Sequence, residues 1–115
     1  MFKNMLVATT MTTLLCSNAG AAICDGIITS VAVQNDGSLH VRQANGGHWV
    51  LCNVHQEGVF QGVTTKAAAC RSWQAILMAA QKAGTTVRLY MQDPNQTCSL
   101  ADWSTASVYF VEDLG

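Results

Sequence analysis

Apolar and polar residues alternate along most of this chain, and one stretch switches to a helical period. In residues 23–34, Ile27, Thr29, Val31 and Val33 fall on one side of an extended strand. Ile28, Ser30, Ala32 and Gln34 fall on the other, and both sides are fairly apolar. Asn35-Asp36-Gly37 follows, a run that accepts positive φ and marks a hairpin. In residues 38–44 Leu39 and Val41 face one way, His40 and Arg42 the other. Asn45-Gly46-Gly47 makes the next turn. In residues 48–54 Trp49 and Leu51 oppose Val50, Cys52 and Val54. Turn chemistry alone therefore predicts a three-stranded meander.

Residues 55–65 read as a polar loop containing Gly58 and Gly62. The period then changes. Residues 66–83 place Ala69 or Cys70, Trp73, Ile76, Leu77 and Ala80 on one helical stripe. Thr64 or Thr65 is the expected N-cap and Gly84 the expected C-terminal stop. Residues 85–92 return to alternation, with Val87, Leu89 and Met91 against Arg88 and Tyr90. Asp93-Pro94-Asn95 ends that strand. A loop with Cys98 and Trp103 leads to a last strand over residues 106–112. The order β-β-β-α-β-β predicts a mainly β fold with one helix, a small five-stranded Greek-key barrel of the OB type.

The first 22 residues read as a signal peptide: Lys3, an apolar stretch from Met5 to Leu15, and the small residues Ala19-Gly20-Ala21-Ala22. The apolar stretch is too short to span a membrane. One OB-like domain over residues 23–115 remains, secreted or periplasmic. Losing Lys3 leaves five Lys and Arg against seven Asp and Glu, with no basic run. That excludes binding to a phosphate backbone, which needs clustered cations.

Cys24, Cys52, Cys70 and Cys98 also remain, an even number in a small exported domain, which reads as a disulfide framework. Three pairings are possible. Cys52–Cys70 with Cys24–Cys98 is the one favoured here. It would tie the third strand to the helix start, and the first strand to the loop before the last. In the chain-entropy account the two loops contribute about 3 and about 4.5 kcal/mol.

Several residues are candidates for chemistry. Trp49, Trp73 and Trp103 offer aromatic faces on which a sugar ring can stack. Trp73 lies on the apolar helix stripe and reads as core. Trp103 is in a loop, with Asp102 beside it to accept a sugar hydroxyl. Arg88 and Tyr90 share one strand face, and Arg suits a carboxylate on an acidic glycan. Cys52-Asn53-Val54-His55 has a C-x-x-H spacing, but an oxidised cysteine is no metal ligand, so no metal and no cofactor are expected. No Gly-rich oxyanion loop accompanies any Cys–His pair, so no enzyme is expected. Ala67, Ala68, Ala75, Ala79 and Ala83 leave the outer helix side small.

Gly46 to Met91, with Trp49-Val50-Leu51-Cys52-Asn53-Val54, Trp73-Gln74-Ala75-Ile76-Leu77 and Gly84-Thr85-Thr86-Val87-Arg88-Leu89-Tyr90, resembles the B subunits of subtilase-type cytotoxin and of related pertussis-like toxins. The resemblance implies a secreted OB fold that assembles as a ring pentamer, binds surface glycans and partners a catalytic A subunit. In such a ring the small-residue helix faces would line the centre. The chain departs from the family at Cys24, where glycan-binding members carry a serine, and it begins closer to the first strand. The function expected is a non-catalytic binding module, with Trp103, Asp102, Arg88, Tyr90 and Trp49 as candidate ligand contacts. The alternative is a monomeric periplasmic or envelope protein that binds another protein. Neither involves nucleic acid or insertion in a membrane.

Overall fold

A computed structural model of the chain describes residues 22–98 and 103–115. The expected signal peptide thus lies outside the described residues, apart from Ala22. The elements are β1 (Ala22–Val33), β2 (Ser38–Gln43), β3 (His48–Asn53), β4 (Gly58–Phe60), β5 (Val63–Thr65), α1 (Ala67–Ala83), β6 (Thr86–Met91), β7 (Ser104–Thr105) and β8 (Val108–Asp113). The fold is mainly β with one helix. Among the described residues, no helix is long and apolar enough to cross a membrane.

The long strands β1, β2, β3, β6 and β8 are the five expected. Short strands correct the count. The main sheet has six strands in the order β7-β3-β2-β1-β6-β8, and β4 and β5 form a separate hairpin inside the expected loop. Its turn is Gln61-Gly62, both at positive φ, which matches the twist of a two-residue hairpin. Gln is not a residue that announces such a turn, so the signal was only Gly62.

The expected last strand begins at Val108 as β8, and the expected loop before it holds a further short strand, β7. β7 runs parallel to β3 and β8 runs antiparallel to β6. The sheet therefore has ends at β7 and β8, and the strand order alone is not that of a closed five-stranded barrel. These two ends are nevertheless pieces of one segment, joined by Ala106-Ser107. The Ala106 N–H donates to the Val50 carbonyl (3.1 Å), and the Gln92 N–H donates to the Ser107 carbonyl (2.9 Å). One segment thus bonds to the β3 side and then to the β6 side.

β1 is shared. Ala22 to Ile27 pair with β6, and Ile28 to Val33 pair with β2. A bulge between Ile28 and Ser30 reverses the side-chain parity. Cys24 and Ile28 point into the core before it, and Val31 packs on the core after it. A single strand of fixed parity, as the alternation predicts, is therefore corrected. The bulge turns Ser30 and Ala32 to the outer face.

The core holds Leu39, Val41, Trp49, Leu51, Leu77, Val87, Leu89 and Met91, all fully buried. Helix α1 contributes Cys70, Leu77 and Ala80, with Trp73 and Ile76 packed against the cluster. Its N-cap is Lys66, with extended backbone and no side-chain bond, so neither Thr64 nor Thr65 caps it. Thr65 is instead buried as the last residue of β5. Gly84 stops the helix at φ 72°, with its N–H donating to the Ala80 carbonyl at 2.8 Å.

Two disulfides close the fold, Cys24–Cys98 and Cys52–Cys70. The first joins β1 to the segment before Trp103, the second joins β3 to the first turn of α1. On the core side of β1, β2 and β3 the buried amide of Gln43 links the three strands. Its Nε2 donates to the Cys24 carbonyl (3.1 Å), and its Oε1 accepts from the Trp49 indole N–H (3.2 Å).

Gln43→Met preserves shape but orphans a buried N–H and a buried carbonyl. The variant should lose about 1–3 kcal/mol in denaturant unfolding, with an unchanged m-value. A loss below about 0.5 kcal/mol would show that the amide is dispensable.

Candidate functional site

The outward face of β1–β2–β3 opposes the core and carries a cavity of about 260 Å³. Strand register builds it. Ala32 lies opposite His40, Ser30 opposite Arg42, and Arg42 opposite His48. Gln34 follows β1 at the hairpin. Trp103 precedes β7, whose parallel pairing to Trp49 and Val50 delivers the indole to this face.

The floor is a pair of histidines. His40 Nδ1 lies 3.2 Å from His48 Nε2, and His40 Nε2 lies 3.0 Å from Gln34 Oε1. Both rings are buried, at 5% and 4% exposure. Trp103 stands against them, 4.4 Å from the His40 centroid and 5.1 Å from that of His48. It sits at φ 62°, a left-handed conformation rarely adopted by a bulky residue, and is 60% exposed. Burial holds the His40 imidazole below the usual histidine range. The His48 charge adds to this, Asp36 opposes it and Arg42 adds a smaller push downward. Arg42 is exposed at the rim and makes no ion pair among the described residues.

The sequence-predicted contacts separate. Trp103 is in the cavity. Asp102 lies outside the described residues. Trp49 does not reach the site: it is fully buried and its indole N–H is spent on Gln43, which corrects its place among the ligand contacts. Arg88 and Tyr90 are on β6, on another outer face. Arg88 makes two bonds to Asp25, at 2.8 and 2.9 Å, and the Tyr90 hydroxyl donates to Glu112 at 2.7 Å. The Arg88 bond holds the Asp25 carboxyl below its usual range. Register sets these groups in rows: Asp25, Arg88 and Glu112 across three strands, and Ile23, Tyr90 and Phe110 beside them. Tyr90 packs edge-on against Phe110, with centroids 5.0 Å apart. On that face Arg88 and Tyr90 are engaged by their own partners, and it carries no cavity among those described.

Sequence reasoning named neither His40, His48, Gln34 nor Ser30 as ligand contacts. The alternation did place His40 and Arg42 on the outer face together. The register that brings His48 opposite Arg42 was the missing step. The four cysteines among the described residues are all in disulfides and offer no thiolate for chemistry, and His55 is an exposed loop residue. Among the described residues, no three His, Cys, Asp or Glu side chains converge as a metal site. No protein-family model matches the chain, and no curated protein matches it.

The depressed His40 value has a thermodynamic consequence. The unfolded state takes up a proton near the ordinary value of about 6.5, before the folded state does. The stability held by neutral His40 is therefore full above that pH. It falls as pH drops from about 6.5 toward the depressed folded value, and levels off below it. The difference between wild type and His40→Gln in denaturant midpoint should shrink across that window. A difference independent of pH would mean that His40 titrates alike in both states.

Proposed function

We propose that this chain is an exported, non-catalytic binding domain of the OB type that holds a glycan under Trp103. The observation that carries the reading is the pairing of an exposed indole, held on a left-handed backbone, with a buried polar floor. An indole face stacks on a sugar ring, and Gln34, Ser30 and Arg42 supply directional polar contacts around it above the histidine floor. The cavity lies near the lower end of small-molecule sites and suits a single sugar residue. Its place on the outer face of β2 and β3 is also where OB folds bind oligosaccharides.

The OB reading itself rests on the β7–β8 segment. A segment bonded to β3 on one side and to β6 on the other is what barrel closure by a last strand requires. The two disulfides support an oxidising compartment, and with it export to the periplasm or beyond. The outer side of α1, with Ala68, Ala75, Ala79 and Ala83 exposed, supports close approach of neighbouring helices in a toxin-like ring pentamer with a catalytic A subunit.

A second reading has one observation in its favour. Ile23, Ile27, Phe110 and Leu114 are partly exposed on the face shared by β1, β6 and β8. A monomeric envelope protein could use that apolar face to bind another protein.

A broad glycan array probed with the oxidised protein tests the first reading. At least one class of glycan should bind, and Trp103→Ala should weaken it about tenfold or more. Because Trp103 is mostly exposed, that variant should lose less than about 1 kcal/mol of stability. Binding unaffected by Trp103→Ala would place the ligand elsewhere. Light scattering should give about five chain masses for the ring, and one chain mass for the second reading.

A further inference from the structure

A second cavity, of about 390 Å³, lies between the start of α1, the β4–β5 hairpin and β8. It shares no lining residue with the Trp103 cavity. Its aromatic walls are Trp73 and Tyr109, and all of β5, Val63 to Thr65, lines it as well. The helix leaves this space open because its first three residues are alanines, and Ala68 and Ala69 offer the cavity only a methyl group each.

A bulge sets Tyr109 in place. Tyr90 lies opposite Phe110 and Met91 opposite Val108, so Tyr109 has no partner on β6. An extra residue of this kind re-aims its side chain. Tyr109 and Phe110 are 49% and 50% exposed, where regular alternation would bury one of them. The Tyr109 ring therefore lines the cavity while its centroid stays 6.3 Å from that of Tyr90. Tyr90 packs on Phe110, and Ile23, 48% exposed, is next in the same register row. An apolar strip thus runs from the cavity mouth across β8 and β6 to β1.

Charge singles out the cavity end of that strip. Beside the strip Asp25 and Arg88 neutralise each other, and Glu112 accepts from the Tyr90 hydroxyl. Lys66 is the only charged residue lining the cavity. It is exposed, makes no side-chain cap bond and has no ion pair among the described residues. Glu112 and Asp113 stand at the other end of β8 from Tyr109.

A single small molecule in the cavity would leave the strip bare. A glycan laid along the strip would meet rings and an isoleucine, with the polar groups there already engaged with one another. An extended polypeptide suits both parts, because its successive side chains reach separate pockets.

We infer that the Trp73–Tyr109 cavity and its strip dock an extended segment of another polypeptide, with an apolar side chain seated between the two rings and a carboxylate on Lys66. This rests on the protein-binding reading, to which it gives a defined site and a partner chemistry. It is independent of whether the Trp103 cavity holds a sugar.

The test is selection from a library of random displayed peptides on the oxidised protein. Recovered sequences should combine an aromatic or large aliphatic residue with a nearby Asp or Glu. A synthetic peptide of recovered sequence should shift the Trp73 indole and Tyr109 ring resonances and leave the Trp103 indole unmoved. Tyr109→Ala should weaken that peptide about tenfold or more. Lys66→Glu should turn the selection from acidic to basic peptides, a reversal that loss of folding does not produce. Both residues are exposed, so both variants should keep the wild-type denaturant midpoint.

No enrichment, an acidic preference unchanged in Lys66→Glu, or a peptide that moves Trp103 instead of Trp73 would each overturn the site. Light scattering separates this failure from that of the protein-binding reading. One chain mass with no enrichment keeps the monomer and overturns the site alone. An oligomer that Tyr109→Ala takes apart makes a second copy the occupant and overturns both.

Discussion

The fold is organised around one buried amide. Gln43 lies at the end of β2 with 3% of its surface exposed, and an amide in that position must find partners for both ends. It finds the Cys24 carbonyl on β1 and the Trp49 indole on β3. This fixes the three strands at one level and turns Trp49 inward. The neighbouring backbone has closed in around the node. A side chain on Gly47 would meet Trp49 Nε1 at 2.5 Å and the Cys98 carbonyl at 2.9 Å, and one on Gly26 would meet Gln43 Cβ at 3.0 Å. Cys24 carries the arrangement on through its disulfide to Cys98 and the approach to Trp103.

The candidate site is the outer reflection of that inner node. With Leu39, Val41 and Gln43 directed into the core, strand parity sends His40 and Arg42 outward. The β1 bulge brings Ser30 and Ala32 to the same side, and the β2–β3 register brings His48 beside them. The pocket therefore needs no element of its own beyond Trp103. It is the far face of a meander whose near face is locked. The histidine pair closes the floor, because the two buried rings share one hydrogen bond.

Much of this was legible in the sequence, for physical reasons that can be named. Period-two alternation and glycine-rich turns located the five long strands, and the i, i+3, i+4 stripe located the helix to within a residue. Gly84 was readable because a left-handed stop favours glycine. Both disulfides formed in the favoured pairing. What was not legible depended on the partner strand. The bulge at Thr29 appears only in the register with β2. The Gln61-Gly62 hairpin lacks the Asn or Asp that marks such turns. Trp49 opens a strand beside two glycines, which left it open to a surface role. Its burial follows from Gln43, a polar residue whose place on the Leu39–Val41 face was visible but whose amide partners were not. Arg88 and Tyr90 were correctly set on one face, but their partners Asp25 and Glu112 come from strands remote in sequence.

The central claim is that Trp103 seats on the His40–His48 pair. Nuclear Overhauser contacts in the oxidised protein at neutral pH test it most directly. The account expects cross-peaks from the Trp103 indole protons to ring protons of both His40 and His48, whose centroids lie 4.4 and 5.1 Å away. The Tyr90–Phe110 pair, at 5.0 Å, supplies an internal standard on another face. If that standard is seen and neither histidine contacts Trp103, the pocket as described here does not exist.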